Sequence, residues 1–191
     1  MNKPHQKIVP HLWFDKEAAE AAEFYVSLFP DSKITGRTVL PGTPSGEAEI
    51  ISFQLWGYRF MAISAGPYFL INQSISFHVY CGSDGEIERI YQALSVGGTP
   101  IMPLGAYPWC RKYAWVKDKF GMTWQLDMDP VNSPQKIVPS LLFVNEKAGW
   151  VKPAMTYNTS IFPSSRILME ATHSPDAGVP EGSLIFAQYK L

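Results

Sequence analysis

The sequence predicts an α+β chain of two paired βαβββ modules with a partial third, and three observations carry that prediction. First, a pattern of one strand, one helix and three strands is stated twice between residues 8 and 128. Second, Gln6-Lys7-Ile8-Val9-Pro10-His11-Leu12-Trp13-Phe14 returns as Gln135-Lys136-Ile137-Val138-Pro139-Ser140-Leu141-Leu142-Phe143. Ser27-Leu28-Phe29-Pro30-Asp31-Ser32-Lys33-Ile34 likewise returns as Ser160-Ile161-Phe162-Pro163-Ser164-Ser165-Arg166-Ile167. Self-similarity of this kind marks a duplicated structural unit. Third, 46% of the 191 residues are hydrophobic, enough for a sizeable core.

Taken in order, Ile8 to Phe14 alternates as a strand, with Ile8, Leu12 and Phe14 on one face and Val9, His11 and Trp13 on the other. Asp15 is placed to cap the next helix, whose apolar stripe runs through Ala18, Ala21, Ala22, Tyr25, Leu28 and Phe29 until Pro30 stops it. Lys33 to Leu40, Ala48 to Leu55 and Tyr58 to Ser64 read as strands, the last two joined by a Trp56-Gly57 hairpin turn. The pattern restarts with a strand over Ser74 to Tyr80. Ser83-Asp84-Gly85-Glu86 opens the second helix as a capping box, and Gly97-Gly98 closes it. Thr99 to Leu104, Tyr113 to Lys117 and Met122 to Asp127 complete the second module, with Asp118 to Gly121 as a tight turn. The organisation expected is a two-module domain over 1–130, a linker over 131–136 and an incomplete repeat of the first module over 137–191. That repeat should hold a strand, a helix opening at Pro153 and strands near Arg166 to Ala171 and Leu184 to Tyr189.

Composition narrows the function. Net charge is −1, so no basic footprint for nucleic acid or an acidic membrane is present. No apolar run is long enough to span a membrane, and residues 1–6 are polar, so a cytoplasmic protein is expected. Two cysteines, Cys81 and Cys110, make neither a disulfide framework nor a CxxC metal site. Charged residues are 17%, against about a quarter in ordinary domains, while aromatics reach 14%. That balance points to extra buried or ligand-lining apolar surface.

The doubled βαβββ pattern, Leu12-Trp13-Phe14-Asp15, Phe24-Tyr25 through Lys33-Ile34, Gly66-Pro67, Gln73-Ser74-Ile75-Ser76-Phe77 and the block from Trp115 to Leu126 resemble the vicinal oxygen chelate (glyoxalase/bleomycin resistance) superfamily. Within it the chain is similar to the PhnB-like branch, which carries a demethylubiquinone methyltransferase label. The resemblance implies modules that pair to form a cleft. In metal-using relatives it also implies a divalent cation held by a His on each module's first strand and by carboxylates on closing strands. Aligned on these motifs, the ligand positions fall near Val9, on Ser74 and on Gln125. Serine and glutamine are poor ligands for a catalytic divalent metal. His11 and His78 stand on the same strand faces nearby, so a divalent cation is not excluded, but no cofactor is predicted.

Two readings of function stay open. In one, the chain binds a small apolar or aromatic compound without a catalytic metal, with Trp13, Gln54, Trp109, Trp115 and Gln125 lining the site. In the other it is an enzyme of the same superfamily, a lyase, isomerase or transferase, with His11 and His78 as acid/base groups or ligands. His11, Trp13, His78 and Gln125 are expected to converge in one cavity. Cys110, beside Arg111 and Lys112, is a weaker candidate nucleophile. The half-repeat would leave an apolar sheet face uncovered, which predicts a homodimer through residues 137–191.

Overall fold

The computed structural model describes residues 6–129, 134–174, 178–179 and 182–191. Two compact units divide the chain between Leu141 and Leu142. In the first, β1 (His11–Phe14), α1 (Ala18–Leu28), β2 (Lys33–Thr43), β3 (Gly46–Leu55) and β4 (Tyr58–Ser64) form one module. β5 (Ile75–Cys81), α2 (Asp84–Ser95), β6 (Thr99–Tyr107), β7 (Cys110–Lys117) and β8 (Thr123–Met128) form the next. The strand orders are β1-β4-β3-β2 and β6-β7-β8-β5, and in each module the first strand runs parallel to the last. The fold is therefore mixed α+β with the doubled βαβββ order read from the sequence.

A fifth strand, β9 (Ile137–Leu141), extends the second sheet by pairing antiparallel with β5. This strand opens the sequence repeat, so the boundary between units falls five residues inside the segment 137–191. Of the linker expected over 131–136, residues 131–133 lie outside the described residues. Gln6 and Gln135, which open the two copies, fold back alike, each donating its side-chain amide to the carbonyl two residues on, Ile8 at 2.7 Å and Ile137 at 2.9 Å. The second unit holds a 3-10 turn over Asn145–Trp150, α3 (Val151–Ile161), and an antiparallel pair of β10 (Arg166–Thr172) with β11 (Leu184–Lys190). The helix begins two residues ahead of Pro153.

Local chemistry explains most of the punctuation. Trp56 (φ 47°) and Gly57 (φ 77°) are both left-handed, as a two-residue hairpin of the primed kind requires. Ser83 Oγ accepts from Glu86 N–H, while Glu86 reaches back to accept from Gly82 N–H at 2.7 Å. Gly98 is obligatory, since a Cβ there would stand 2.4 Å from the Leu94 carbonyl oxygen and 2.5 Å from that of Lys117. Asp15 does not cap α1. The first-turn N–H of Ala18 instead donates to Ser64 Oγ at 3.1 Å, so the cap arrives from the end of β4. Strand pairing made after the helix supplies it, and no local pattern announces that.

One core serves both modules. Leu12, Phe14, Phe53 and Phe60 from the first sheet join Phe77, Trp124 and Leu126 from the second in a single buried cluster. Tyr25 of α1 stacks on Phe53 and packs against Trp124, and Phe60 meets Phe77 with ring centroids 4.9 Å apart. Each sheet therefore turns one face, with its helix, toward the other. Alternation sends the remaining side chains to two outward faces. Trp124 belongs wholly to this core.

Asp118 pins that core. Almost fully buried in the turn before β8, it accepts from Tyr25 Oη and Trp124 Nε1, both at 2.8 Å, and from the backbone N–H of Phe120 and Met122. Burial raises its carboxyl above the ordinary range despite four hydrogen bonds that favour the charged form. Among the described residues no helix is long and apolar enough to cross a membrane.

Candidate functional site

The two outward faces divide the predicted site residues between them. On the first sheet, β1 presents His11 and Trp13 and β3 presents Gln54. On the second sheet, His78 lies beside Gln125, and Gln125 lies beside Trp115 in the next strand. Within the chain these are separate faces, so the expected convergence of His11 and Trp13 with His78 and Gln125 is corrected. Strand alternation assigned each residue to the right side of its strand. What it could not show is that the modules pack through their helix-covered faces, which points the two sets away from the shared core.

The first face holds a modest arrangement. Trp13 Nε1 donates to the Gly66 carbonyl at 2.9 Å, and its ring meets Phe69 edge-on at 5.0 Å. Partial burial lowers the pKa of His11, which favours its neutral form.

The second face is more elaborate, and its organiser is Asp127. This residue stands two places beyond Gln125 on β8, hence on the same face, between Tyr80 on β5 and Tyr113 on β7. His78 Nε2 lies 3.1 Å from Asp127 Oδ2, and the Cys110 thiol donates to Oδ1 at 2.6 Å. One carboxylate thus holds an imidazole and a thiol. Gln125 is also fully engaged, accepting from Tyr113 Oη and donating to Ser76 Oγ, both at 2.7 Å. Both ends of its amide are committed, so its orientation is set. Sequence reasoning missed Asp127. The signal was available in the alternation of Trp124-Gln125-Leu126-Asp127, which puts a carboxylate on the outward face one step past Gln125.

Around this cluster stand aromatic rings. Tyr107, Trp109 and Tyr113 form a triangle with centroids 5.3–5.8 Å apart, and His78 packs against Tyr80 at 4.8 Å. Trp109 is 63% exposed, unusual for so large an apolar ring. The indole Nε1 of Trp115 is buried without a hydrogen-bond partner. A cavity of about 420 Å³ opens here, lined by Tyr80, Trp109, Cys110, Arg111, Asp127, Met128 and Asp129. A larger hollow of about 720 Å³ in the second unit is lined by Lys152, Pro153, Thr156 and Tyr157 among others, and among the described residues its lining includes no carboxylate, imidazole or thiol.

Cys110 is not an activated nucleophile. Partial burial, then the hydrogen bond to Asp127, push its thiol up. The cations expected to lower it are engaged elsewhere, Lys112 with Asp84 and Glu88 and Arg111 with Asp84, all on the α2 side. Cys81 is fully buried, its thiol pushed up by burial to about 12. Tyr113 is likewise raised, first by burial and then by the Asp127 charge.

A divalent cation does not fit the donors present. Among the described residues no group of three or more His, Cys, Asp or Glu is disposed to hold a metal ion. His78 and the Cys110 thiol approach different oxygens of Asp127 instead of a common point, and the other neighbours include amide, hydroxyl and indole groups.

A family model described as 3-demethylubiquinone-9 3-methyltransferase matches residues 6–127, well over half of the chain. No curated protein matches. Among solved structures, a PhnB protein from Bacillus cereus, given the same methyltransferase description, is 34% identical. That match covers 65% of this chain and 100% of the relative, with a TM-score of 0.61. Protein PA1353 from Pseudomonas aeruginosa is 26% identical over 65% of this chain and 98% of its own, with a TM-score of 0.54. The chain belongs to this PhnB-like family of the vicinal oxygen chelate superfamily.

Proposed function

We propose that the chain is a cytoplasmic protein that binds a small apolar or aromatic compound on the outward face of its second sheet, without a catalytic metal. The observation that carries this reading is the Tyr107–Trp109–Tyr113 triangle beside the His78–Asp127 pair. Exposed rings supply stacking surface, and a few fixed polar groups supply orientation, the usual composition of a small-molecule site. With the Nε2 proton directed at Asp127, His78 offers Nδ1 as an acceptor to a ligand hydroxyl or N–H.

Titrating the purified protein with a panel of aromatic and quinone-like compounds, followed by tryptophan fluorescence, tests this. At least one compound should bind, and Trp109→Ala should weaken that binding by about tenfold or more. Binding that is indifferent to Trp109, or that needs a stoichiometric metal retained through dialysis, overturns the reading.

The His78–Asp127 pair also favours a second reading, an enzyme of the same superfamily in which His78 is a general base oriented by the carboxylate. His11 would act separately, from the other sheet. A methyl-transfer activity draws no support from the chain itself. Neither α1 nor α2 opens on a glycine-rich turn of a doubly wound parallel sheet, where a nucleotide-like methyl donor would sit.

The partner proposed from residues 137–191 is a second copy. Since β9 is engaged within the first unit, the surface concerned is the β10–β11 pair, where Ile167, Leu168, Met169 and Ile185 are all about half exposed or more. Met169→Lys with Ile185→Lys should shift a dimer toward monomer in light scattering at micromolar concentration, and a wild-type monomer refutes the proposal.

A further inference from the structure

The cavity beside Asp127 has a sign as well as a shape. Among the described residues its lining carries two carboxylates, Asp127 and Asp129, and one cation, Arg111. The Arg111 guanidinium is taken up by Asp84, at the start of α2, which it reaches at 3.4 Å. Lys112, next along β7, is shared between Asp84 and Glu88. Two cations and two carboxylates thus balance one another on the α2 side and leave no surplus positive charge there. The partners described for Asp127 are instead the His78 imidazole and the Cys110 thiol. With His78 neutral and its Nδ1 open to a ligand, the carboxylate keeps its full charge.

Two neighbouring groups register that charge. The Tyr113 hydroxyl and the Cys110 thiol are both pushed up, first by burial and then, in part, by Asp127. A field that resists a further anion attracts a cation by the same physics. The aromatic rings act in the same direction. Trp109 and Tyr80 line the cavity, and Trp109 adjoins Tyr107, nearly parallel at 25°, and Tyr113, across it at 75°. Ring faces carry partial negative charge and attract a cation placed within about 6 Å.

Three kinds of ligand are told apart on these grounds. An anion would meet Asp127 and Asp129. A neutral apolar molecule would stack on Trp109, yet it would strip water from Asp127 and put nothing in its place, and a carboxylate so covered is costly. A cation offsets that loss and gains from the rings as well. We propose that the ligand of this site is a small organic cation, an alkylated ammonium group on an aromatic frame, with its charge beside Asp127 and its frame against Trp109. The proposal rests on the reading of this face as a ligand site and adds the ligand's charge to it.

A pair of probes equal in shape and unequal in charge tests it. Para-(trimethylammonio)phenol and para-tert-butylphenol differ by nitrogen for carbon, and both keep a hydroxyl for His78. In calorimetric titrations of the full chain near neutral pH, the cation should bind about tenfold more tightly or better. Added salt should weaken the cation and leave the neutral probe unchanged. Asp127→Asn should bring the two affinities within about threefold of each other, and Trp109→Ala should weaken both. Equal affinities in wild type, both still lowered by Trp109→Ala, overturn the charge and leave the ligand site standing. Binding of neither probe at about millimolar concentration overturns the two together. A preference for the cation that survives Asp127→Asn overturns the part given to that carboxylate. If Asp127→Asn proves unfolded by circular dichroism, the preference of wild type and its salt dependence decide alone.

Discussion

Asp118→Ala should cost the fold about 3–5 kcal/mol, the largest stability loss expected of any single polar substitution in the chain. The carboxylate is the common acceptor of two backbone N–H groups, the Tyr25 hydroxyl and the Trp124 indole. Its removal leaves two side-chain donors buried without partners, in a place where water does not reach. Urea denaturation should show a lowered midpoint with little change in slope. The pH dependence has a definite sign. Burial raises the folded carboxyl above its unfolded value, so the stability it contributes is fully present below the ordinary carboxylate range and is lost as pH rises through the raised value. The stability of wild type relative to Asp118→Asn should therefore fall as pH rises from the unfolded pKa through that value. An unchanged difference would show that the group does not titrate differently on folding.

Asp127→Asn should release the Cys110 thiol. The hydrogen bond and charge of Asp127 are among the causes that hold that thiol up, and the amide retains none of the charge. Alkylation of the native protein at mildly alkaline pH should accelerate by about threefold to tenfold, since one pKa unit is about a factor of ten in thiolate at fixed pH. Cys81 does not confuse the measurement, being fully buried with its thiol pushed up to about 12. The same substitution deprives His78 of its carboxylate, so ligand affinity on this face should fall with it. An unaltered alkylation rate would mean that burial alone governs the thiol.

The doubled module was legible because it rests on local pattern: alternation in Ser76 to Tyr80, helical spacing from Ala18 to Leu28, and the glycines at 57 and 98. Long-range decisions were not. Ser64 caps a helix that starts 46 residues earlier, and no neighbour of Ala18 in sequence reveals it. His11 and His78 were assigned to the correct sides of their strands, yet one chain turns those sides apart, because Phe60, Phe77 and Trp124 draw the helix-covered faces together. Asp127 was overlooked for a different reason. The family pattern singles out Gln125, while the carboxylate stands one alternation further along. Its importance comes from what the fold brings to it, a thiol 17 residues away and an imidazole 49 away.

The β5–β9 pairing has a consequence for how the chain behaves in a crowded solution. Eight residues separate the end of β8 at Met128 from the start of β9 at Ile137, so the covering strand is tethered close to the edge it covers. A tether this short sets an effective concentration on the order of millimolar. An extended segment of a foreign chain at micromolar concentration then competes for that edge at a disadvantage of about a thousandfold, for equal intrinsic affinity. The repeat's first strand thus works as a built-in competitor. It keeps the edge beside His78 from recruiting strands at random, a protection that begins only once residue 141 has been synthesised.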